Sequence, residues 1–176
     1  MDGVGVDFIG GVSKFHHCPI PGHPHKPEEQ TDQTPWEIDE VMGLSPHALW
    51  SPLGRTFWAN LKALPHFTSL LLTLEERFGE KNICLLTSPP MTDGSIDGKR
   101  DWIKKHMNRY RRRFLVGPAK EFCAAPDHLL IDDNETNIEK FEEAGGQTFL
   151  FPAPWNYRFK EDPMTALHTF LEELEC

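Results

Sequence analysis

A chain of 176 residues, 39% apolar and 26% charged, has enough material for one α/β domain with a sizeable core, and its composition excludes a disordered chain. Its formal net charge of −9 disfavours nonspecific binding of polyanions. No run of about 18 apolar residues is present, and no charged-then-apolar signal segment opens the chain. The four cysteines (Cys18, Cys84, Cys123 and Cys176) stand far apart with no CxxC spacing, which fits no disulfide framework and makes a reducing cytoplasm the expected compartment.

The chain opens "MDGVGVDFIGG", which reads either as a flexible Gly-rich leader or as the second half of a catalytic loop. Residues 13–50 are crowded with Pro, His and polar residues and hold no sustained period, so a loop or loosely built insert is expected. "TSLLLTLEERFG" places Leu70, Leu71, Leu74 and Phe78 on one helical stripe. "NICLL" is a short apolar run that reads as a buried strand. "GKRDWIKKHMNRYRRR" reads as a charged helix carrying Trp102, Ile103 and Met107. "RFLVG" and "HLLI" read as two further buried strands. "NETNIEKFEEAGG" is punctuated as a helix, with Asn134 or Thr136 to cap it and Gly145 to close it. "QTFLF" then reads as a strand. "DPMTALHTFLEELE" reads as a helix with an Asp cap, Pro at its first position and a Leu167, Phe170, Leu171 and Leu174 stripe. Strands alternating with helices imply a parallel sheet covered on both faces.

Polar groups follow three of these strands. Thr87 and Ser88 follow "NICLL", Lys120 follows "RFLV" by four residues, and Asp132 and Asp133 end "HLLI". Ligands of open α/β sheets bind beyond the carboxyl ends of the strands, so these groups are expected to converge. Carboxylates hold a hard cation such as Mg²⁺, while an ammonium and hydroxyls hold phosphate oxygens. Each group has a plainer explanation: a turn before Pro-Pro, a solvated Lys, a helix cap near Asp133. Two adjacent carboxylates at a buried strand end nevertheless repel and need a cation or a donor beside them. Receiver domains use a similar set of groups, but there the acidic pair comes first and the Lys last, the reverse of the order here.

In these segments the sequence resembles the haloacid dehalogenase superfamily of phosphohydrolases, and within it the 5′(3′)-deoxyribonucleotidases. "LLTSPP", "GKRDW", "VGPAK" and "LLIDDN" carry the likeness, which covers most of residues 1–11 and about 57–156. The resemblance implies an α/β, three-layer parallel sheet with a small cap insert. It makes residues 1–176 a single domain and 13–66 the cap region. It implies that Thr87, Ser88, Lys99 and Lys120 bind the phosphoryl group and that Asp2, Asp132 and Asp133 serve the metal, Mg²⁺. The fourth motif often continues with Arg, where this chain has Asn134.

The family's first motif is a strand followed by Asp-x-Asp-Gly-Val or -Thr. "MDGVGVDF" matches from its middle residue: Met1 is x, and Asp2 is the general acid and base. The nucleophilic aspartate and its strand map ahead of Met1. Asp7, five residues on and with no strand before it, is not expected to replace that nucleophile. Loss of such a nucleophile costs on the order of 10⁶ in turnover. Two expectations compete. One is a 5′-nucleotidase of (deoxy)nucleoside monophosphates whose true start lies upstream, favoured because every later motif is kept. The other is an inactive remnant that binds a phosphometabolite or a partner.

Further signals have two readings each. His16, His17, Cys18, His23 and His25 are metal-competent, but their spacing fits no zinc finger, and a surface loop is expected. Residues 99–113 hold eight of the 18 basic residues with Trp102 and Tyr110 interleaved; a solvated helix face is expected here over a nucleic-acid interface. Trp50, Phe57 and Trp58 could stack a nucleobase or pack a core. The expected partner is a small phosphorylated substrate, with no membrane and no nucleic acid; a homodimer is left open.

Overall fold

The opening segment is folded, not a loose leader. Val4 and Val6 are buried, Asp2 and Val6 pair in an isolated parallel bridge, and the Gly5 and Val6 N–H groups both donate to the Met1 carbonyl, at 2.8 and 3.1 Å. Gly3 supplies the turn with φ at 73°. Helix α1, Phe8–His16, follows at once, capped by Asp7, whose Oδ1 accepts the Gly10 N–H at 2.9 Å. Capping thus accounts for Asp7. The helix also corrects the expectation that residues from 13 onward are loop. Its two central glycines hide the period, yet Gly11 is where a Cβ would run into the Leu61 side chain.

The structure is a computed structural model that describes residues 1–20 and 37–174. Two compact units are present, Met1–Pro19 with Glu37–Pro118, and a second that contains Ala119 onward. In the first, three short helices, α2 (Ile38–Met42), α3 (Pro46–Trp50) and α4 (Arg55–Ala59), precede α5 (Phe67–Phe78). Phe67, Leu70, Leu71 and Leu74 of α5 are buried, close to the expected stripe. Strand β1 (Leu85–Thr87), helix α6 (Ser95–His106) and strand β2 (Phe114–Val116) then form a parallel βαβ unit, with Leu85 opposite Phe114 and Thr87 opposite Val116. The apolar run of β2 reads as buried, but Leu115 is 52% exposed. A ladder of two strands leaves one face of its partner open to water, so an apolar run alone is a poor guide there.

The second unit repeats the arrangement. Strand β3 (Leu129–Asp132) and strand β4 (Gln147–Leu150) pair in parallel through helix α7 (Glu135–Glu143), and helix α8 (Pro163–Glu173) ends the unit. Asn134 caps α7 through a 3.1 Å bond from the Asn137 N–H, and Asp162 caps α8 through a 2.8 Å bond from the Thr165 N–H. Both caps and the Pro163 start are legible in the sequence. Alternation of helix with parallel strand is therefore present. Strand pairing among the described residues stops at these two short ladders, where the alternation suggests one larger sheet.

Candidate active site

In the first unit the site is built on the end of β1. The Leu85 N–H bonds the Arg113 carbonyl at 3.0 Å and the Gly117 N–H bonds the Thr87 carbonyl at 2.9 Å. Alternate residues of a parallel strand face opposite edges, so Leu86 faces away from β2. Its carbonyl accepts the Met1 amino group at 3.0 Å, which lays the chain leading into Asp2 against that second edge of β1.

Asp2 and Thr87 meet on Lys99. The Lys99 ammonium is ion-paired with the Asp2 carboxylate and donates to Thr87 Oγ1 at 2.9 Å. Lys99 is 2% exposed and lies over the Trp58 ring, 4.6 Å from its centroid. Helix α6 brings the lysine this close to α4 because residue 98 has no side chain. A Cβ on Gly98 would stand 2.5 Å from the Arg55 carbonyl oxygen and 2.6 Å from Trp58 Cβ. Ser88 is placed differently from Thr87: its hydroxyl donates to the Gly117 carbonyl at 2.9 Å and ties the loops after β1 and β2 together. At the start of α6, Ser95 donates back to the Pro90 and Thr92 carbonyls at 2.7 and 2.9 Å.

In the second unit, β3 carries the acidic pair into a buried setting. The Asp132 carboxylate is ion-paired with Lys120 through Oδ2, and its Oδ1 accepts the Asn134 N–H at 3.1 Å and the Asn137 side-chain amide at 2.9 Å. Asp133 Oδ2 accepts the Trp155 indole N–H at 2.8 Å. The cation and the donor that two neighbouring carboxylates require are thus Lys120 and Trp155. Burial, reinforced by the Asp132 charge, pushes the Asp133 carboxyl up to about 7.

These donors fit a hard divalent cation in kind: they are carboxylate oxygens, and the Lys120 ammonium beside them is committed to Asp132. Among the described residues no three His, Cys, Asp or Glu side chains cluster as a metal site. A Mg²⁺ ion would therefore draw on main-chain oxygen and water as well, as that ion commonly does.

The remaining signals resolve into structure. Trp58 is buried, donates its indole N–H to the Leu53 carbonyl at 2.7 Å and stacks on Phe8, whose ring also stacks on Trp50. Trp58 is core packing. His16 bonds the Leu49 carbonyl at 3.1 Å, and His17 closes α1 in the left-handed region with φ at 52°. His23 and His25 lie outside the described residues. In the basic run, Lys99, Arg100, Arg109 and Arg113 pair with Asp2, Asp97, Glu75 and Glu80, so local carboxylates neutralise half of its eight cations. No helix among the described residues is long and apolar enough to cross a membrane.

Sequence reasoning missed Gly98, Trp155 and Asn156. A signal for the last two exists in "PAPWN", a polar-ended segment directly after the "QTFLF" strand.

Hydroxyl, lysine and paired aspartates at the ends of parallel strands, in this chain order, agree with a haloacid dehalogenase-like family. More particularly, the family model of 5′ nucleotidase, deoxy (pyrimidine), cytosolic type C proteins matches residues 1–168, and the chain belongs to that family. No curated protein matches the chain.

Proposed function

We propose that the chain is a cytoplasmic, Mg²⁺-dependent phosphomonoester hydrolase acting on (deoxy)nucleoside 5′-monophosphates through an aspartyl-phosphate. The observation that carries the reading is the contact of Asp2, Lys99 and Thr87 at the end of β1. An ammonium has three donors. Two of those on Lys99 hold Asp2 and Thr87, and the third would serve a phosphoryl oxygen. Thr87 and Ser88 serve the same oxygens. Asp2 donates a proton to the leaving nucleoside oxygen and then accepts one from water. Such proton transfer contributes roughly 10²- to 10⁴-fold. Asp133 and Asp132 are the residues that would hold Mg²⁺. Bound there, the ion supplies charge stabilisation for the transferring group.

In the resembling family the nucleophilic aspartate stands two residues ahead of the acid and base, the position that Asp2 matches. The test is phosphate release from a panel of deoxynucleoside monophosphates, with Mg²⁺ or with chelator. It compares this chain with one extended by an apolar strand ending in Asp. The extended chain is expected to turn over and to stop in chelator; equal inactivity of both would discard the nucleotidase reading and leave a binding remnant.

A further inference from the structure

One short segment holds Asp133 at both ends. The Trp155 indole N–H reaches its carboxylate at Oδ2 (2.8 Å), and Asn156 Nδ2 reaches its main-chain carbonyl at 2.9 Å. Asn156 is 1% exposed and fully used. Nδ2 also donates to the Phe151 carbonyl at 2.9 Å, and Oδ1 accepts the Ala153 and Arg158 N–H groups at 3.4 and 3.1 Å. That occupies both donors and both lone pairs of the amide.

Closing the turn after β4 does not require this. Pro152 and Pro154 already fix two φ angles of the segment, and a turn can close without sending an indole to a carboxylate. Burial of an indole N–H and a carboxamide is costly unless both are paired, and here both pair with the same residue. Asp132 has a separate set of holders, Lys120, Asn134 and Asn137. The clamp is therefore particular to Asp133. By fixing Oδ2 and the backbone carbonyl together, it fixes the direction in which Oδ1 is presented.

We infer that Trp155 and Asn156 are positioning residues for the Asp133 carboxylate, orienting Oδ1 toward a divalent cation. The inference rests on the proposed role of Asp133 as a metal ligand. Outer partners of a metal-ligating carboxylate are typically worth 10- to 100-fold in affinity.

Mn²⁺ is the probe, titrated into this chain and read from the resonance of the unbound ion, with the thermal midpoint of the metal-free protein measured alongside. Trp155→Phe keeps a ring and removes the donor; Asn156→Ser shortens the second donor and stands in if the first variant loses its cooperative melt. Each is expected to raise the Mn²⁺ dissociation constant about 10- to 100-fold at temperatures well below its own midpoint. A purely structural role would lower the midpoint and leave that constant unchanged. Asp133→Asn separates the two ideas. If it abolishes binding while Trp155→Phe and Asn156→Ser bind like the parent chain, the inference is overturned and the ligand role stands. If Asp133→Asn binds like the parent chain, the ligand role fails and the inference with it.

Discussion

The two units each place a lysine against an aspartate at a strand end, but they do so under different constraints. In the first, Lys99 is buried while the side chain of its partner Asp2 is 23% exposed, and Asp2 sits on a turn of small residues. In the second, Lys120, Asp132 and Asp133 are all buried, the Asn134 N–H, Asn137 and Trp155 donate to the two carboxylates, and Asn156 holds the Asp133 main-chain carbonyl. A partly exposed carboxylate can exchange protons with water and substrate. A buried carboxylate held by neighbouring donors has less freedom to move. The first cluster is thus open to water on one side, and the second is a buried frame.

The largest expected effect breaks that frame. Lys120→Met strands a buried carboxylate, and breaking such a pair costs about 3–5 kcal/mol. Lys99→Met is expected to cost clearly less, because Asp2 can turn to water. Urea midpoints of the two variants check this, and equal losses would erase the distinction between the clusters.

Next comes pH. The Asp133 carboxyl is raised to about 7, so the folded chain holds its proton longer than the unfolded chain does. Stability from this group is full below about pH 4 and is lost as the pH rises through about 7. Asp133→Asn is therefore expected to melt with the parent chain near pH 4 and above it at pH 8 in chelator. Each pKa unit is worth about 1.4 kcal/mol, which makes the gain a few kcal/mol. A variant that gains nothing at pH 8 would mean that the frame holds Asp133 without strain.

The smallest effect addresses the first cluster. Gly98→Ala forces α6 away from α4, with an overpacking cost of about 1–3 kcal/mol. The same shift moves Lys99 from Thr87, so phosphate release by the extended chain should fall further than stability alone explains. A loss of stability with unchanged turnover would free the Lys99 position from the packing of the two helices.

What the sequence discloses tracks how local the governing physics is. Caps at Asn134 and Asp162 act over three residues; the pattern gives Asp162 outright and Asn134 as one of two candidates beside Thr136. Acidic pairing at Asp132 and Asp133 announces its need for a cation and a donor without naming Lys120 and Trp155, because those partners lie 12 and 22 residues away. Helix α1 is hidden by Gly10 and Gly11, since a helix that must pass close to Leu61 surrenders the side chains by which it would be recognised. Strand β2 is overread as buried because an apolar run does not say how many neighbours it will have. The aromatic pair at Phe57 and Trp58 admits two readings, and only the stack on Phe8 separates them.

That stack has a mechanical consequence. Phe8 lies six residues after Asp2 and is flanked by Trp50 and Trp58 at 5.6 and 5.3 Å with nearly parallel planes, and Trp58 also lies beneath the Lys99 ammonium. Swinging the 50–58 segment away would separate both ring contacts, each worth about 0.5–1.5 kcal/mol, and expose the indole under Lys99 as well. Load applied to that segment would therefore reach Lys99 through Trp58, and a hinge that opened without disturbing the Lys99 contacts would have to bend elsewhere in the chain.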